Sequence, residues 1–518
     1  GDGPYYREPV SDTDKDNQYK DRDPRTTIMK ACMEDFDFAI ANVRANDGAD
    51  YVNKYVVATI ASRCMLFEGT WYIYHKNDQA MQVYKNDNID DLAKTFLNKT
   101  VEYAEVAMNS GVYKFDTEYN ALFGSYSKPG NEIMLYRQYS NSESVKHCVA
   151  SYCNLREGQN VYGNLSTLKA WICNDGLTYD QSTATNASSF NMKDLVVSRD
   201  PRFEATFWGE TVHLGNATGI YCTKFINREG PTLWYDGSNS NRPEYRSATN
   251  INGAPCVRYA ETVLNWIEAK AELADKFGGA AVTNADLDRS INAIRNRPLA
   301  PEAVAKGVKK TAPLDVNNLP NDPARTAAPE VNTHAGVVNS PLIWEIRRER
   351  RMEFFMEHFR TRDIRRWGKL ELMSGANNPD IMLGAWINLE EAKLQWRPYV
   401  RSKADAGKIQ VQALDGTIIK FKTDIDGDGT YPEYEKDAAG KLVQVPATYG
   451  DGSIKVNKEI LDDNAPEMQG FLIPRNIKDR AANNFGERQY LEPVCKEVCQ
   501  EYKDNGYTIT QNPGWPTE

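Results

Sequence analysis

The chain has 518 residues, enough for one large domain or two to three smaller ones. Its 41% hydrophobic and 26% charged content is that of a soluble globular protein and excludes a disordered one. An excess of 72 acidic over 62 basic residues gives a net charge of -10, which repels polyanions and argues against nucleic acid as a partner.

In chain order, Pro24–Val43 opens with the helix-start signal Asp23-Pro24 and places Ile28, Cys32, Phe36 and Ile40 at four-residue steps on one face. A second helix is predicted over Tyr51–Tyr74. Its apolar stretch Tyr55–Phe67 is interrupted by Arg63 and is too short to span a bilayer, so it reads as buried. A third helix, Ile89–Ser110, carries Leu92, Phe96, Val101, Tyr103, Ala104 and Ala107 and stops at Ser110-Gly111. Small residues between large ones on helices of this length suggest stacked hairpins of the tetratricopeptide kind.

From 112 to 255 the pattern changes. Short β-rich runs, Asn131–Tyr139 and Gly219–Ile226, alternate with polar loops such as Asp180–Ser189 and Asp236–Asn252, where binding residues usually reside. Helices resume at Val257–Lys276 and Asn284–Asn296. A Pro/Ala/Asn-rich linker, Pro298–Pro341, leads to the strongest helix, Leu342–His358. Val400–Asn457 reads as strands and turns, and Lys478–Tyr490 as irregular or helical. The predicted class is therefore mainly α, a tetratricopeptide-like helical repeat scaffold with an irregular, loop-rich α+β part.

Nine cysteines leave at least one unpaired within the chain. They read as buried or surface thiols, with a Cys148–Cys153 disulfide as the alternative. Cys495 and Cys499 repeat at helical spacing, without the second pair or histidine cluster that zinc needs.

The segment from Ile343 to Arg360, Ile-Trp-Glu-Ile-Arg-Arg-Glu-Arg-Arg-Met-Glu-Phe-Phe-Met-Glu-His-Phe-Arg, runs on into Asp363-Ile364-Arg365-Arg366-Trp367-Gly368-Lys369. Arg199-Asp200-Pro201-Arg202-Phe203, Arg258-Tyr259-Ala260-Glu261, Arg295-Asn296-Arg297 and the ending Gln511-Asn512-Pro513-Gly514-Trp515 stand around it. These five elements, taken in order, resemble the SusD/RagB family of surface nutrient-binding lipoproteins, and the whole of 1–518 resembles one such unit. The helical repeat parts would then be about 24–111, 257–297 and 342–370, the ligand-binding part 112–255, and a strand/turn insert 400–457.

The resemblance implies a protein on the outer face of a Gram-negative outer membrane. It would act as a lid that captures oligosaccharides, or in some members peptides, and passes them to a SusC-like TonB-dependent transporter barrel. No reaction is implied. The opening Gly1-Asp2-Gly3-Pro4 is similar to an element that such proteins carry over a hundred residues in. The expectation is that the family's first repeats and N-terminal lipid anchor are not present in this chain.

Glu349 and Glu353 lie four apart on one helical face, where like charges repel unless a cation stands between them. Arg362, Arg365 and Arg366 are the expected donors. The same arginines gripping an anionic substrate is the alternative reading. A structural role is preferred, because buried Arg–Glu networks can fix a fold's register.

Asp424, Asp426 and Asp428 occupy positions one, three and five of a loop with Gly429 at six, Thr430 at seven and Glu435 at twelve. That is the spacing of an EF-hand-type Ca2+ site, in which glycine permits the bend and the last glutamate binds bidentately. The flanks Thr417–Lys422 and Lys441–Val445 look like strands, so a structural calcium site is weighed against a solvated acidic turn.

Sugar rings stack on aromatic faces while amides and charged groups bond their hydroxyls. Trp208, Trp234, Tyr235 and Tyr245, with Asn241 and Arg242, are the candidate ligand contacts in the loop-rich part, although each also fits core packing. Trp71, Tyr72 and Tyr74 are expected between repeats. Catalysis finds little support, because the five histidines are scattered and no His-Glu-x-x-His, Gly-x-Ser-x-Gly or phosphate loop occurs. A glycosidase carboxylate pair is set by space and not by sequence. Glycan capture is preferred over peptide capture on the aromatic-rich middle. A surface glycoside hydrolase or a repeat-based adhesin are the other classes.

Overall fold

Asparagine and serine side chains start most of the long helices. In the computed structural model, which describes residues 2–45, 47–84, 87–149, 163–211, 218–230, 247–388, 410–420, 433–436, 438, 442–445, 469–474 and 485–517, helix α1 spans Arg25–Asn42. Helix α2, Lys54–Tyr74, is capped by Asn53, and α3, Ile89–Met108, by Asn88, each side chain accepting from first-turn amides. Helix α4 spans Tyr259–Phe277 and ends at Gly278, whose φ of 66° suits a left-handed terminus. Helix α5, Pro341–Glu353, has Ser340 as its cap and proline in its first turn. Helix α6 spans Phe359–Arg366.

Helices α2 and α3 form a tight hairpin with α1 on one side, and α4 packs across both and against α5. Small residues set the closeness. Ala58, Ala61, Ala93, Ala104 and Ala107 are buried, and a Cβ on Gly69 would stand 2.7 Å from Leu97. The fold is mainly α and tetratricopeptide-like, as the small-and-large pattern predicts. Trp71, Tyr72 and Tyr74 are buried between the helices, with Met65, Phe96 and Trp367 in the same core cluster.

Short strands occupy the rest. Strand β1 (Ile133–Arg137) pairs antiparallel with β4 (Ala254–Arg258), and β2 (Phe207–Thr211) with β3 (Ile220–Cys222). A four-stranded sheet runs β5 (Trp386–Asn388), β10 (Gln469–Ile473), β6 (Gln410–Gln412), β7 (Ile418–Lys420). β8 (Glu433–Lys436) and β9 (Leu442–Val445) make a separate hairpin. A second core, with Trp171, Phe203, Phe207, Met352 and Phe471, joins these strands to the end of α5. Among the described residues no helix is long and apolar enough to cross a membrane.

Three sequence expectations change. The helix predicted over Leu342–His358 ends at Glu353, where the carbonyl of Glu353 accepts from the Tyr119 hydroxyl and that of Phe355 from Lys224 Nζ at 2.7 Å. Those donors replace the next helical turn, and Met356 and His358 adopt positive φ. Val257 and Arg258 belong to β4 and not to the helix that follows. The Pro298–Pro341 segment is no free linker. Its Thr311 donates to Asp200 at 2.7 Å, the Ala312 carbonyl accepts from Arg295 at 2.9 Å, and Asp322 takes Trp344 Nε1 at 2.8 Å and the Arg348 guanidinium.

Candidate functional site

Four of the five family-like elements, with cluster residues scattered over 155 positions from 199 to 353, meet at one buried charge cluster. Glu349 and Glu353 project from α5. Arg202 follows the turn at Asp200, Arg258 ends β4, and Arg295 and Arg297 close the short helix Ile291–Arg295. Arg202 reaches Glu353 at 2.9 Å and Asp200 at 2.7 Å, and also pairs with Glu349. Arg258 bridges Glu353 at 2.8 Å and Glu132 at 2.6 Å. Arg297 does the same at 2.9 and 2.8 Å, and Arg295 meets Glu349 at 3.0 Å. Four guanidiniums thus face four carboxylates, all buried.

The electrostatics follow from that balance. Burial alone would raise the Glu353 carboxyl, but the guanidiniums of Arg297, Arg258 and Arg202 override it and hold it well below the usual carboxylate range. Asp200 is buried too, and Arg202 likewise keeps it low. The expected donors are therefore corrected. Arg362 is exposed, Arg365 pairs with Glu492 at 2.7 Å, and Arg366 turns to Glu268 at 2.7 Å, because α6 packs on α2 rather than beside Glu349. Trp367 is core, its Nε1 donating to Glu268 at 2.8 Å. With their donors spent on internal carboxylates, Arg202, Arg258, Arg295, Arg297 and Arg366 form scaffold and not an anion grip. The signal that identifies the right donors is the arginine in each of the elements at 199–203, 258–261 and 295–297.

Above the cluster, three loops are knitted into one surface. His147 and Asn250 exchange backbone hydrogen bonds at 3.0 Å. His147 Nε2 donates to the Asn252 carbonyl at 2.7 Å, while its Nδ1 accepts from the Val149 amide at 3.1 Å, which sets the tautomer. The Asn252 amide ties in the Phe123 and Phe225 carbonyls at 2.9 and 3.1 Å. On this surface Tyr126 is 42% exposed, Tyr139 packs edge-on to His147 at 4.4 Å, and the exposed Arg137 lies 5.3 Å over Tyr139. Sequence reasoning passed over Tyr126, Arg137 and Tyr139, because nothing in a single aromatic reveals that a later loop closes beside it.

Of the six candidate ligand contacts, Trp208 lies half-buried on β2. Trp234, Tyr235, Asn241, Arg242 and Tyr245 fall outside the described residues. Asp424, Asp426, Asp428 and Thr430 also lie outside them. Glu435 has its backbone in β8, opposite Val443, and the flanks Thr417–Lys422 and Lys441–Val445 carry strands β7 and β9 as expected. Cys153 lies outside as well, so the Cys148–Cys153 pairing is not described. A groove of about 440 Å³ between α1 and α3 is lined by Lys30, Met33, Glu34, Asp91, Thr95 and Phe96. It is remote from the loops, and its aromatic, Phe96, is fully buried, leaving no face on which a sugar ring can stack. Among the described residues, His75, Asp78 and His334 have donor atoms close enough together to share a metal ion.

A family model described as the SusD family matches residues 114–515, and the chain belongs to that family. No curated protein sequence matches. The chain is similar to a solved SusD-like carbohydrate-binding protein from Bacteroides fragilis at 16% identity, over 74% of this chain and 65% of that one, with a TM-score of 0.48. A second SusD-like protein from Bacteroides fragilis shares 16% identity over 99% of this chain and 76% of its own, with a TM-score of 0.49. A laminarin-binding SusD-like protein shares 15% identity over 71% and 66%, with a TM-score of 0.39. The chain thus spans 65% of the length of the first of these structures.

Proposed function

We propose that this SusD-family chain captures oligosaccharides at the outer face of the outer membrane and hands them to a SusC-like TonB-dependent barrel, binding them reversibly without catalysis. Family membership supports the class. The observation that carries the glycan reading is the knitted loop surface, where Tyr126, Tyr139 and Arg137 combine aromatic faces with a cation. Trp208, Trp234, Tyr235, Asn241, Arg242 and Tyr245 complete the proposed contact set within a ligand-binding part at 112–255, carried on the helical repeat parts. Attachment to the membrane in this reading is through a lipid anchor. In this reading the Asp424–Glu435 loop takes a structural Ca2+ through Asp424, Asp426, Asp428, Thr430 and Glu435.

A glycan array read with the purified chain tests the capture, together with a pull-down of the barrel from membranes. Saturable binding to an oligosaccharide class without release of reducing sugar supports the reading. Peptide binding alone moves the chain to the peptide-capturing branch, turnover makes it a glycosidase, and no ligand with no barrel overturns it.

A further inference from the structure

At the C-terminus of α2 the chain turns sharply, and three side chains from distant positions converge there. His75 caps the helix with its side chain fully buried, Asp78 follows in the turn, and His334 comes from the Thr333–Gly336 turn, 256 residues further on. Trp71 stacks on the His75 ring at 3.9 Å, and Tyr490 packs against both histidines at 4.9 Å.

With a neutral His75 ring the hydrogen inventory of this group does not close, and either a proton on Nδ1 or a bound cation closes it. His75 Nε2 lies 2.8 Å from the Arg365 carbonyl, an acceptor only, so Nε2 carries the hydrogen and donates. The other nitrogen, Nδ1, then presents a lone pair to Asp78 Oδ2 at 2.8 Å, and a carboxylate offers no hydrogen in return. Two acceptors at that distance repel unless a cation stands between them. The second carboxylate oxygen, Oδ1, faces His334 Nε2 at 2.6 Å. A histidine whose far nitrogen donates to a backbone carbonyl, leaving the near one open beside a carboxylate, is the arrangement that orients metal ligands.

We propose that His75 Nδ1, Asp78 and His334 Nε2 form a site for a divalent transition metal of the zinc class. Two imidazoles and one carboxylate suit zinc and leave a fourth position for water. Ligands bonded at about 2.0–2.1 Å to a tetrahedral zinc stand about 3.3 Å apart; the Asp78 oxygens, 2.8 and 2.6 Å from the two nitrogens, need to draw back by less than about an ångström, and all three donor atoms lie within 4.8 Å of one another. His334 accommodates that movement, because its side chain retains 21% exposure and sits on a turn with Gly336 at φ 59°. Its open side is also the entry path. The bound ion ties the end of the α2–α3 hairpin to the segment before α5, which makes the site a structural clasp apart from the loop surface.

The test is calorimetric titration of the metal-stripped full chain with ZnCl2, paired with visible absorption of its Co2+ form. The expected result is one Zn2+ per chain, a ligand-field band for Co2+, a higher Tm with metal, and loss of all three in folded His334→Ala. Asp78→Asn serves as the second variant, and an anomalous zinc signal in crystals locates the ion independently. Absence of stoichiometric uptake by the folded wild type, or uptake unchanged in His334→Ala, overturns the proposal. It would leave the group as a histidine–aspartate ion pair that holds a proton in the metal's place.

Discussion

Glu353 carries a charge with no water around it, a state that costs several kcal/mol unless partners surround it. Three guanidiniums do so at 2.8–2.9 Å. Glu353→Gln removes the charge and leaves Arg202, Arg258 and Arg297 undercompensated, and the expected loss is about 3–5 kcal/mol in chemical denaturation. Arg362→Ala, at an exposed position, is expected to stay within about 0.5 kcal/mol. The same groups set the acid response. Asp200, Glu353, Asp363 and Glu268 are all held below their ordinary values by arginines that outweigh burial. Their contribution is present in full above the unfolded carboxyl values, about pH 4–4.5, and is lost as pH falls through the lower folded values. Glu272 and Glu345, raised by burial despite Arg347 and Arg348, run the other way and give up stability as pH rises through their folded values. The denaturation midpoint is therefore expected to fall steeply below about pH 4, and less steeply in Glu353→Gln.

At the scale of elements, what was legible in the sequence is what rests on local pattern. The four-residue steps of Ile28, Cys32, Phe36 and Ile40 predict α1, and the apolar stripe of Ile89–Ser110 predicts α3, each within a residue or two of its observed end. What failed was decided by distant partners. The run through Phe354–His358 looks helical, and only Tyr119 and Lys224, over a hundred residues earlier, capture the carbonyls that end it. The Trp367-Gly368 pair in the family-like segment has a local reason. Gly368 sits at φ 65° after α6, a Cβ there would stand 2.8 Å from Ala335, and its carbonyl accepts the Ala335 amide at 3.0 Å. Gly368→Ala is expected to cost about 1–3 kcal/mol, seen as a lowered Tm with an unchanged helical circular-dichroism signal below the transition.

At the scale of the molecule, the buried scaffold and the proposed recognition surface occupy different kinds of sequence. The arginine- and glutamate-rich elements that identify the family are buried and locked to one another, so they carry identity and rigidity. The loop surface draws on Tyr126, Arg137, Tyr139 and His147, whose relation is set by antiparallel pairing of residues more than a hundred apart, as between His147 and Asn250. Composition points to 112–255 as the region of the proposed ligand face. It had no physical handle on which aromatics share a surface, since that depends on closure of loops and not on spacing. The measurement that bears most directly on this division is oligosaccharide titration of two variants beside the wild type. One replaces residues 231–246 by a short Gly/Ser linker, and the other is Glu353→Gln. The loop variant is expected to lose ligand binding with its Tm unchanged, and Glu353→Gln to lose stability while its folded fraction binds as before. Binding retained without the loop, or abolished in folded Glu353→Gln, would contradict this division.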